Sequence, residues 1–292
     1  MATSSTDALL ARCNFPPTGT VVTCAVSGGP DSLALLVLAT EAGCDVTAIH
    51  VDHALRPEST GEAEVVRAAA RRFGAKFDAR TARVEPGPNV EARARQARYA
   101  VLPADVLTGH TADDQAETIV LNLIRGAGLD GLRGMPVQQR PLIRVRRRET
   151  RALCDELGLS PVADPTNDDR SLRRNRIRHD LLPLLDDIAC RDVVEVMSRQ
   201  SELLAGDAEL LDALSEAVDP TDAAALRAAP APLARRAVRR WLRASSDPER
   251  HPPDAATVER VLSVARGDVR GTEVGGGRRV VRSRGRLTIE TR

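Results

Sequence analysis

The feature that most restricts the fold of this chain is an alternation in its N-terminal part. Short runs rich in β-branched residues are followed there by longer segments of helical period. The four predicted pairs of strand and helix are Thr20–Val26 with Ser32–Ala42, Val46–Val51 with Gly61–Phe73, Lys76–Val84 with Val90–Leu102, and Asp105–Thr108 with Ala112–Ile124. This alternation predicts a mainly parallel sheet covered by helices on both faces. Because ligands bind such sheets at the carboxyl ends of the strands, the polar residues after the first, second and fourth strands are candidates for a site.

The rest of the chain is predicted to be mainly helical at first and then to combine helices with strands. Its segments are a glycine-rich loop at 126–141, a helix at 149–157, a polar segment at 164–178, a long helical pattern at 181–218, helices at 233–243 and 255–266, and a glycine-rich turn at 275–277 between two candidate strands. Pro220, Pro230 and Pro232 mark a boundary region. We therefore predict an α/β domain with a helical extension at 1–218 and a smaller α+β domain at 219–292.

Charge is distributed unevenly along the chain, although Lys and Arg (42) nearly balance Asp and Glu (41). Residues 1–226 hold 26 basic and 34 acidic side chains, a balance of −8, whereas residues 227–292 hold 16 and 7, a balance of +9. A basic module of this kind is either an arginine-rich solvated surface or a surface that contacts nucleic-acid phosphates.

Cysteine usage and hydropathy argue against several classes of protein. The five cysteines are scattered and form no CxxC pair, so neither a disulfide framework nor a zinc or iron–sulfur site is indicated. No apolar run reaches about 18 residues, and the N-terminus lacks a basic region followed by an apolar stretch. We therefore expect a cytoplasmic protein that has no membrane partner.

A loop with the sequence SGGPDS joins the first predicted strand to the first predicted helix. Such a turn presents backbone N–H groups, with the helix dipole behind them, to an anion. Gly28 and Gly29 carry no Cβ atom that would keep a phosphate away, and Ser27 and Ser32 add hydroxyl donors. The alternative is an ordinary strand-to-helix turn in which Asp31 or Ser32 caps the helix.

Two common nucleotide-binding motifs are excluded. The Walker loop GxxxxGK[ST] needs a lysine, and Lys76, the only lysine of the chain, lies elsewhere. A GxGxxG turn is also missing. The SGGPDS loop resembles instead the PP-loop of the N-type ATP pyrophosphatases. That resemblance implies a Rossmann-like domain that cleaves ATP between the α- and β-phosphates and activates an oxygen atom as its adenylate.

Further stretches narrow the resemblance. They are HVDHALR at 50–56, EARARQARY at 91–99, GHTADDQAETIVLNLIRGAGLDGLRGM at 109–135 and DPTNDDRSLRRNRIRHDLLP at 164–183. In order and spacing they resemble the tRNA(Ile)-lysidine synthetase family. The resemblance implies a ligase that uses ATP to join L-lysine to C2 of the wobble cytidine in tRNA(Ile) with a CAU anticodon. The cytidine O2 atom would first be adenylated, and the lysine amine would then displace AMP.

The same resemblance implies roles for residues at the strand ends. The implied ATP-binding residues are Ser27, Gly28, Gly29, Asp31, Ser32, His50, Arg95 and His110, with Mg²⁺ beside Asp31. The implied lysine pocket consists of Asp114 and Glu117. The implied catalytic residues are Asp31, Asp52, His110, Asp114 and Glu117. For a histidine at a strand end, a hydrogen-bonded place in the core is the alternative.

Acidic residues cluster at the start of the helix predicted at 112–124. Asp113 and Asp114 lie four and three residues before Glu117, so we expect several carboxylates to project toward one region. Acidic residues also favour a helix N-terminus for electrostatic reasons, which is the alternative. A carboxylate that recognises a lysine ammonium group could also accept a proton from the attacking amine.

Contacts to tRNA are predicted for arginines in two parts of the chain, namely Arg125, Arg173, Arg174, Arg176, Arg178, Arg239 and Arg240. The arginines of 173–178 cannot all share one helical face, so they predict a basic wall with several sides. Trp241, the only tryptophan, is expected to pack in the core of the small domain rather than to stack on a base. The family resemblance also implies a homodimer.

Two other functions stay open at this point. A tRNA 2-thiocytidine synthetase shares the PP-loop, but it is expected to carry paired cysteines, and this chain has none. A non-catalytic RNA-binding protein could retain an ATP-binding fold. The intact loop glycines, Asp31 and Glu117 argue against that alternative.

Overall fold

The computed structural model describes residues 5–52, 59–82, 90–162, 165–245 and 253–291, and for residues 59, 60, 90–92, 95, 165 and 167 it describes the backbone only. The chain divides into two compact units, Met1–Glu202 and Leu203–Arg292. Each unit is built around its own cluster of buried apolar side chains. Within the described residues, no helix has the length and apolar character needed to cross a bilayer.

The first unit alternates strands and helices as predicted. Its elements are α1 (Ser5–Leu10), β1 (Val21–Ala25), α2 (Pro30–Glu41), β2 (Asp45–Asp52), α3 (Ser59–Arg72), β3 (Lys76–Thr81), α4 (Val90–Val101), β4 (Leu107–Thr108), α5 (Ala112–Ile124), α6 (Leu129–Leu132), α7 (Arg147–Glu156), α8 (Arg173–Arg176), α9 (Leu182–Ala189) and the start of α10 (Val193–Glu216). A 3-10 turn at Pro165–Asp168 precedes α8, and a π-helical turn at Ile177–Leu181 joins α8 to α9. The predicted α/β class is confirmed.

The described strands of this unit form a parallel sheet in the order β3-β2-β1-β4. Along β1, Val21 pairs with Asp45 of β2, and on the other side Cys24 pairs with Leu107 of β4. The chain leaves β1 for β2 in one direction and returns to β4 on the opposite side. The strand order therefore reverses between β1 and β4, and ligands of open α/β sheets bind at such a reversal.

Helix α2 holds this edge of the sheet in place. Residues 33–39 are all buried, because the helix packs against β1, β2 and α7 rather than facing solvent on one side. A helix that is apolar all round belongs in a core. Burial of each leucine of α2 stabilises the folded protein by about 1.5–3 kcal/mol. The start of the helix, where the SGGPDS loop lies, is therefore firmly fixed to the core.

The second unit combines helices with a small antiparallel sheet. After the end of α10 come α11 (Ala223–Ala228), α12 (Ala231–Ala244), α13 (Ala255–Arg266) and the strands β5 (Gly271–Gly275), β6 (Arg278–Ser283) and β7 (Arg286–Thr291). The two strands predicted on either side of the turn at 275–277 are present as β5 and β6. The third strand, β7, was not predicted; Arg284 and Gly285, both with positive φ, turn the chain into it. Trp241 packs against the core of this unit, as predicted.

The division between the units lies within α10, before the boundary predicted at 218/219. The C-terminal part of α10 is attached to the second unit by side-chain contacts. Arg236 forms an ion pair with Asp212, and Arg240 donates hydrogen bonds to the hydroxyl (2.7 Å) and the carbonyl (3.0 Å) of Ser215. The helix continues across the division, so no loop marks it, and the functional domain boundary stays a prediction.

Candidate active site

The loop between β1 and α2 is braced by its own hydroxyl groups. The Ser32 hydroxyl donates a hydrogen bond to the carbonyl of Gly29 (2.9 Å) and accepts one from the backbone N–H of Ser27 (3.1 Å). Gly28 has a φ of +89°, a conformation that favours glycine. Gly29 is the N-cap of α2, and no side chain caps the helix. The capping alternative for Asp31 and Ser32 is therefore not realised, and the loop presents its backbone at the start of the helix.

Backbone from two other segments packs directly against this loop. A methyl group on Gly109 would lie 2.6 Å from the carbonyl oxygen of Asp31 and 3.1 Å from the backbone nitrogen of Ser32. Only glycine therefore allows the chain after β4 to approach the start of α2. On the other side, the N–H of Val162 donates a hydrogen bond to the carbonyl of Gly28 (3.0 Å). The loop is thus held between two segments that follow it in the chain.

A cavity of about 450 Å³ lies at the carboxyl ends of β1, β2 and β4. Its volume is that of an ordinary ligand pocket. The predicted site residues that line it are Ser27, Gly29, Asp31, Ser32, His50, His110, Asp114 and Arg178. The other polar residues in its wall include Arg98, Tyr99, Arg147 and Arg151. The SGGPDS loop therefore faces open space rather than packed side chains.

Two histidines reach this cavity from β2 and β4, the strands on either side of β1. His50 is 2% exposed, and its Nδ1 atom lies 3.0 Å from the carbonyl oxygen of Val26. Since a carbonyl only accepts, Nδ1 carries the proton, and Nε2 is an acceptor that has no partner among the described residues. His110 follows β4, and its Nδ1 atom lies 2.8 Å from the hydroxyl oxygen of Thr108.

Two other predicted residues are less directly related to the cavity. Asp52 ends β2, where its carbonyl accepts a hydrogen bond from the N–H of Ala82 (2.8 Å), and it is not among the described residues that line the cavity. The backbone of Arg95 lies in α4, the helix that brings Arg98 and Tyr99 to the cavity. The side chain of Arg95 lies outside the described residues.

Three carboxylates from two helices meet at one side of the cavity. Asp31 lies at the start of α2, and Asp114 and Glu117 lie at the start of α5. Glu117 is completely buried, and Asp114 is 9% exposed. Buried carboxylates need charged or hydrogen-bonding partners, because an unpaired charge is expensive to remove from water. Here most of the partners are arginines.

Arg147, the first residue of α7, contacts all three carboxylates. Its Nη1 atom lies 2.9 Å from Glu117 Oε1, its Nη2 atom lies 2.8 Å from Asp114 Oδ1, and its Nε atom lies 3.4 Å from Asp31 Oδ2. One turn later, the hydroxyl of Thr150 donates a short hydrogen bond to Asp31. These contacts join α7 to both helices that carry the carboxylates.

Arg174 and Arg178 approach the same carboxylates from the helical run at 173–189. Arg174 Nε lies 2.6 Å from Glu117 Oε2, and Arg178 Nε lies 2.7 Å from Glu117 Oε1. A further Arg174 nitrogen lies 3.1 Å from Asp114 Oδ1. With Arg147, these residues give each oxygen of Glu117 two N–H donors. The carboxylate is therefore saturated, and a lysine ammonium group can reach it only if a guanidinium group leaves.

The arginines set the charge state of the cluster. Burial alone would raise the pKa of Asp114, but Arg147 and Arg174, with smaller effects of His110 and a backbone N–H, lower it to about 2. The pKa of Glu117 is likewise lowered, because Arg178, Arg147 and Arg174 outweigh burial. Burial instead dominates at Asp31 and raises the pKa of that carboxyl group. The cluster thus contains two carboxyl groups with a lowered pKa and one with a raised pKa.

The expectation that Asp113 joins this cluster is wrong. Its carboxylate lies 3.1 Å from two nitrogens of Arg146 and accepts a hydrogen bond from the backbone N–H of Arg147 (2.7 Å). Asp113 is one residue before Asp114, about 100° around the helix, and it therefore points to another neighbour. Its role is to fix the start of α7.

The predicted tRNA-binding arginines divide into two groups. Arg173 and Arg176 are exposed, whereas Arg174 and Arg178 turn inward to Glu117. Two of the four arginines at 173–178 are thus engaged in ion pairs with a buried carboxylate, and the contact of this segment with tRNA stays a prediction. Arg125 is the exposed C-cap residue of α5. In the second unit, Arg239 and Arg240 lie on α12, where Arg240 donates to Ser215.

Arg147 and Thr150 were not predicted to belong to the site. Arg147 stands between Arg146 and Arg148 in the sequence, and Arg148 is 66% exposed. Three consecutive arginines at the start of a helix look like a solvated surface, and only the packing of α7 on α2 shows which of them turns inward. Thr150 lies one helical turn after Arg147, and residues one turn apart share a helix face. That spacing is the sequence signal that could have indicated Thr150.

Two family models match the chain. A PP-loop domain model matches residues 3–185, and a TilS substrate binding domain model matches residues 222–288. The tRNA(Ile)-lysidine synthase of Nocardia farcinica is 42% identical to this chain, over 94% of this chain and 93% of its own length. The chain belongs to the tRNA(Ile)-lysidine synthase family. Another family member, from Mycolicibacterium paratuberculosis, is 44% identical over 75% of this chain and 73% of its own length.

Solved structures support the fold of this lysidine synthase family member. The U34-tRNA thiolase NcsA from Methanococcus maripaludis, solved with its [4Fe-4S] cluster, superposes with a TM-score of 0.55 at 18% identity. The similarity covers 69% of this chain and 78% of the thiolase. At this identity the comparison shows a shared fold and nothing about the reaction. The two family models lie in the two separate units of the chain, one in each.

Proposed function

We propose that this chain is the ligase that joins L-lysine to C2 of the wobble cytidine in tRNA(Ile) with a CAU anticodon, with cleavage of ATP to AMP and pyrophosphate. One feature of the site carries the proposal beyond family membership. The anion-binding loop and the buried carboxylate of Asp114 border the same cavity, and Arg147 connects them with the fully buried Glu117. A ligase that activates one substrate with ATP and then adds an amine needs both groups within reach of one base.

The phosphates of ATP are expected at the SGGPDS loop. The N-terminus of α2 supplies backbone N–H groups and a positive dipole end there. The hydroxyls of Ser27 and Ser32 lie at the cavity wall, 3.2 Å apart. The unpartnered Nε2 atom of His50 is a suitable acceptor for an amino group of the nucleotide, and His110 lies at the adjacent strand end.

Magnesium is expected to accompany the phosphates. Within the described residues, no group of three or more His, Cys, Asp or Glu side chains is arranged to hold a metal ion. Mg²⁺ in nucleotide sites is usually bound by one or two carboxylates together with substrate phosphates, so it does not need such a group. Asp31, in the cavity wall at the start of α2, fits that requirement. The ion would offset the negative charge of the departing pyrophosphate.

The reaction requires two displacements in this cavity. The O2 atom of cytidine attacks the α-phosphorus, an O–P bond forms, and pyrophosphate leaves with the electrons of the broken P–O bond. The lysine amine then attacks C2, a C–N bond forms, and AMP leaves with O2. The amine must lose a proton in this second step. The pKa values of Asp114 and Glu117 are both lowered by the arginines, so these carboxylates suit the binding of a cation better than general-base catalysis.

Lysine is expected to bind where guanidinium groups now lie. Glu117 and Asp114 already attract cations, and a lysine ammonium group can replace one of the donors from Arg174 or Arg178. Those two residues belong to the helical run that also exposes Arg173 and Arg176, which we assign to tRNA phosphates. Because the substrate is a tRNA, we expect the reaction to occur in the cytoplasm. A homodimer stays a prediction, which light scattering can test.

The deciding experiment measures pyrophosphate release and nucleoside products with transcripts of tRNA(Ile). The transcripts carry either a CAU or a GAU anticodon, and lysine is present or absent. We expect release with the CAU transcript without lysine, a lysine-containing nucleoside only when lysine is added, and neither with the GAU transcript. Equal release with both transcripts, or no lysine-dependent product, would overturn the proposal.

A pair of variants tests the lysine pocket. Glu117→Gln is expected to raise the KM for lysine by roughly tenfold or more, because it removes the charge that attracts the ammonium group, while pyrophosphate release without lysine changes little. Glu156→Gln, at the exposed end of α7, is the matched control and should change neither quantity. Equal losses of both activities in Glu117→Gln would remove this assignment.

A further inference from the structure

Arg147 lies in an arginine-rich stretch of sequence, yet its guanidinium group is bound by several carboxylates. Each of its three guanidinium nitrogens contacts a different carboxylate, and those carboxylates come from α2 and α5. The side chain is 12% exposed. One guanidinium group therefore connects the loop side of the cavity, through Asp31, with the proposed lysine side, through Asp114 and Glu117.

We propose that Arg147 is the positioning residue that holds the two halves of the active site in register. The proposal rests on the function proposed above. A guanidinium group is planar and carries five donors in a fixed arrangement, so it can orient three carboxylates at once. Without this guanidinium group, less positive charge would offset the repulsion between the carboxylates of Asp31 and Asp114. Each side chain would then be free to rotate away from the cluster.

The position of Arg147 is itself fixed by the chain around it. Its backbone N–H donates to the carboxylate of Asp113 (2.7 Å), and its carbonyl accepts a hydrogen bond from the hydroxyl of Thr150 (2.8 Å). The same hydroxyl is also within hydrogen-bond distance of Asp31, so its single proton is shared between the two acceptor oxygens. Contacts with Asp113 and Asp31 thus fix the first turn of α7. They also fix the backbone position from which the Arg147 side chain extends.

Arg174 and Arg178 do not provide the same connection. Their described ion pairs reach only Glu117 and Asp114, and their side chains are 32% and 20% exposed. They belong to the segment that we assign to tRNA, and a lysine ammonium group is expected to replace one of them. Arg147 is the arginine that stays with the carboxylates when the others move.

This role predicts that loss of Arg147 impairs both steps of the reaction. Lysine at this position would keep a positive charge but lose the planar set of donors, so it is not a conservative replacement. We expect Arg147→Lys to slow lysine-independent pyrophosphate release by roughly tenfold and to raise the KM for lysine by roughly tenfold. In contrast, Glu117→Gln is expected to affect lysine alone.

The experiment compares Arg147→Lys and Arg147→Gln with Arg148→Gln, whose side chain is 66% exposed and contacts Asp192 outside the cavity. Pyrophosphate release without lysine and the KM for lysine are measured for each protein, with thermal unfolding as a check of folding. Arg148→Gln should stay close to the wild type in both. If Arg147→Gln does not fold, Arg147→Lys decides the result.

A double-mutant cycle distinguishes positioning from a general structural role. If Arg147 acts through Glu117, then Arg147→Lys with Glu117→Gln should raise the KM for lysine no more than Glu117→Gln alone. Additive effects, an effect on only one of the two steps, or losses that merely follow the folded fraction would overturn the proposal. A wild-type protein that forms no lysine-containing nucleoside would instead remove the proposed function, so the two failures are distinguishable.

Discussion

Gly109 determines whether the chain after β4 can approach the start of α2, because a methyl group there would lie 2.6 Å from a backbone oxygen of Asp31. A flexible side chain could move aside, but the first turn of α2 cannot. We therefore expect Gly109→Ala to cost about 1–3 kcal/mol in unfolding free energy and to weaken ATP binding. Urea unfolding and titration with a non-hydrolysable ATP analogue measure the two effects.

The matched control is Gly61→Ala, in α3. Apart from its chain neighbours and the backbone of its own helix, no described heavy atom lies within 4 Å of a methyl group at that position, and alanine favours helix more than glycine does. Gly61→Ala should therefore keep or slightly increase stability and leave ATP affinity unchanged. If Gly109→Ala behaves in the same way, the close approach of the two backbones is not required for the site.

Asp114 makes the stability of the first unit sensitive to acid. Its pKa is about 2 in the folded protein, against about 3.9 for an unfolded aspartate. Because the folded carboxyl group is the stronger acid, its ion pairs stabilise the protein above about pH 4, by about 2 kcal/mol, and this contribution is lost as the pH falls toward 2. Glu117 acts in the same direction, and Asp31, whose pKa is raised, acts in the opposite one.

The variant Asp114→Asn is therefore expected to be less stable than the wild type at pH 6 but to lose less stability between pH 6 and pH 3. Urea unfolding followed by circular dichroism at the two pH values gives the comparison. Asp155→Asn, an exposed position on α7, is the control and should show the pH dependence of the wild type. An unchanged pH dependence in Asp114→Asn would show that its ion pairs do not contribute to acid lability.

The helical run at 173–189 combines two functions on different faces. Arg174 and Arg178, four residues apart, share the inward face, while Arg173 and Arg176 are exposed. The π-helical turn begins at Ile177, and such turns frequently occur at functional sites. A segment that contacts both a buried carboxylate and solvent is suited to couple tRNA binding to the lysine pocket.

We expect Arg174→Gln to increase lysine affinity in the absence of tRNA by roughly tenfold, because one competing charged hydrogen bond to Glu117 is removed. Equilibrium dialysis with labelled lysine measures this affinity. Arg173→Gln is the neighbouring control. It should leave lysine affinity unchanged and reduce the slope of log tRNA affinity against log salt by about one. If the two variants behave alike, the division of this segment into two faces has no functional meaning.

The elements of the sheet could be predicted from sequence, whereas the charge network could not. Strand–helix alternation gives β1 to α5 nearly to the residue, since hydrophobic period and β-branched residues report local structure directly. The SGGPDS loop and Glu117 follow from motifs. The inward face of Arg147 depends instead on how α7 is rotated against α2, which the local pattern does not contain. β7 was missed although Gly285, between two segments with β-branched residues, is a local signal for a hairpin turn.

Each unit has its own apolar core, so we expect the two units to respond independently to core substitutions. Leu36 is fully buried in the core of the first unit, and Leu242 is 1% exposed in that of the second. The charge balance differs as well, since the basic residues of 227–292 lie within the second unit. We therefore assign ATP binding to the first unit and a share of tRNA affinity to the second.

Leu242→Ala is expected to cost about 2–5 kcal/mol in the second unit, to weaken tRNA binding, and to leave the affinity for an ATP analogue unchanged. Trp241, the only tryptophan, packs against the same core, so its fluorescence reports unfolding of that unit alone. Leu36→Ala is the matched control: it should weaken binding of the ATP analogue and leave the tryptophan transition in place. If either substitution shifts both readouts together, the two cores unfold as one cooperative structure, and the division of function between them does not hold.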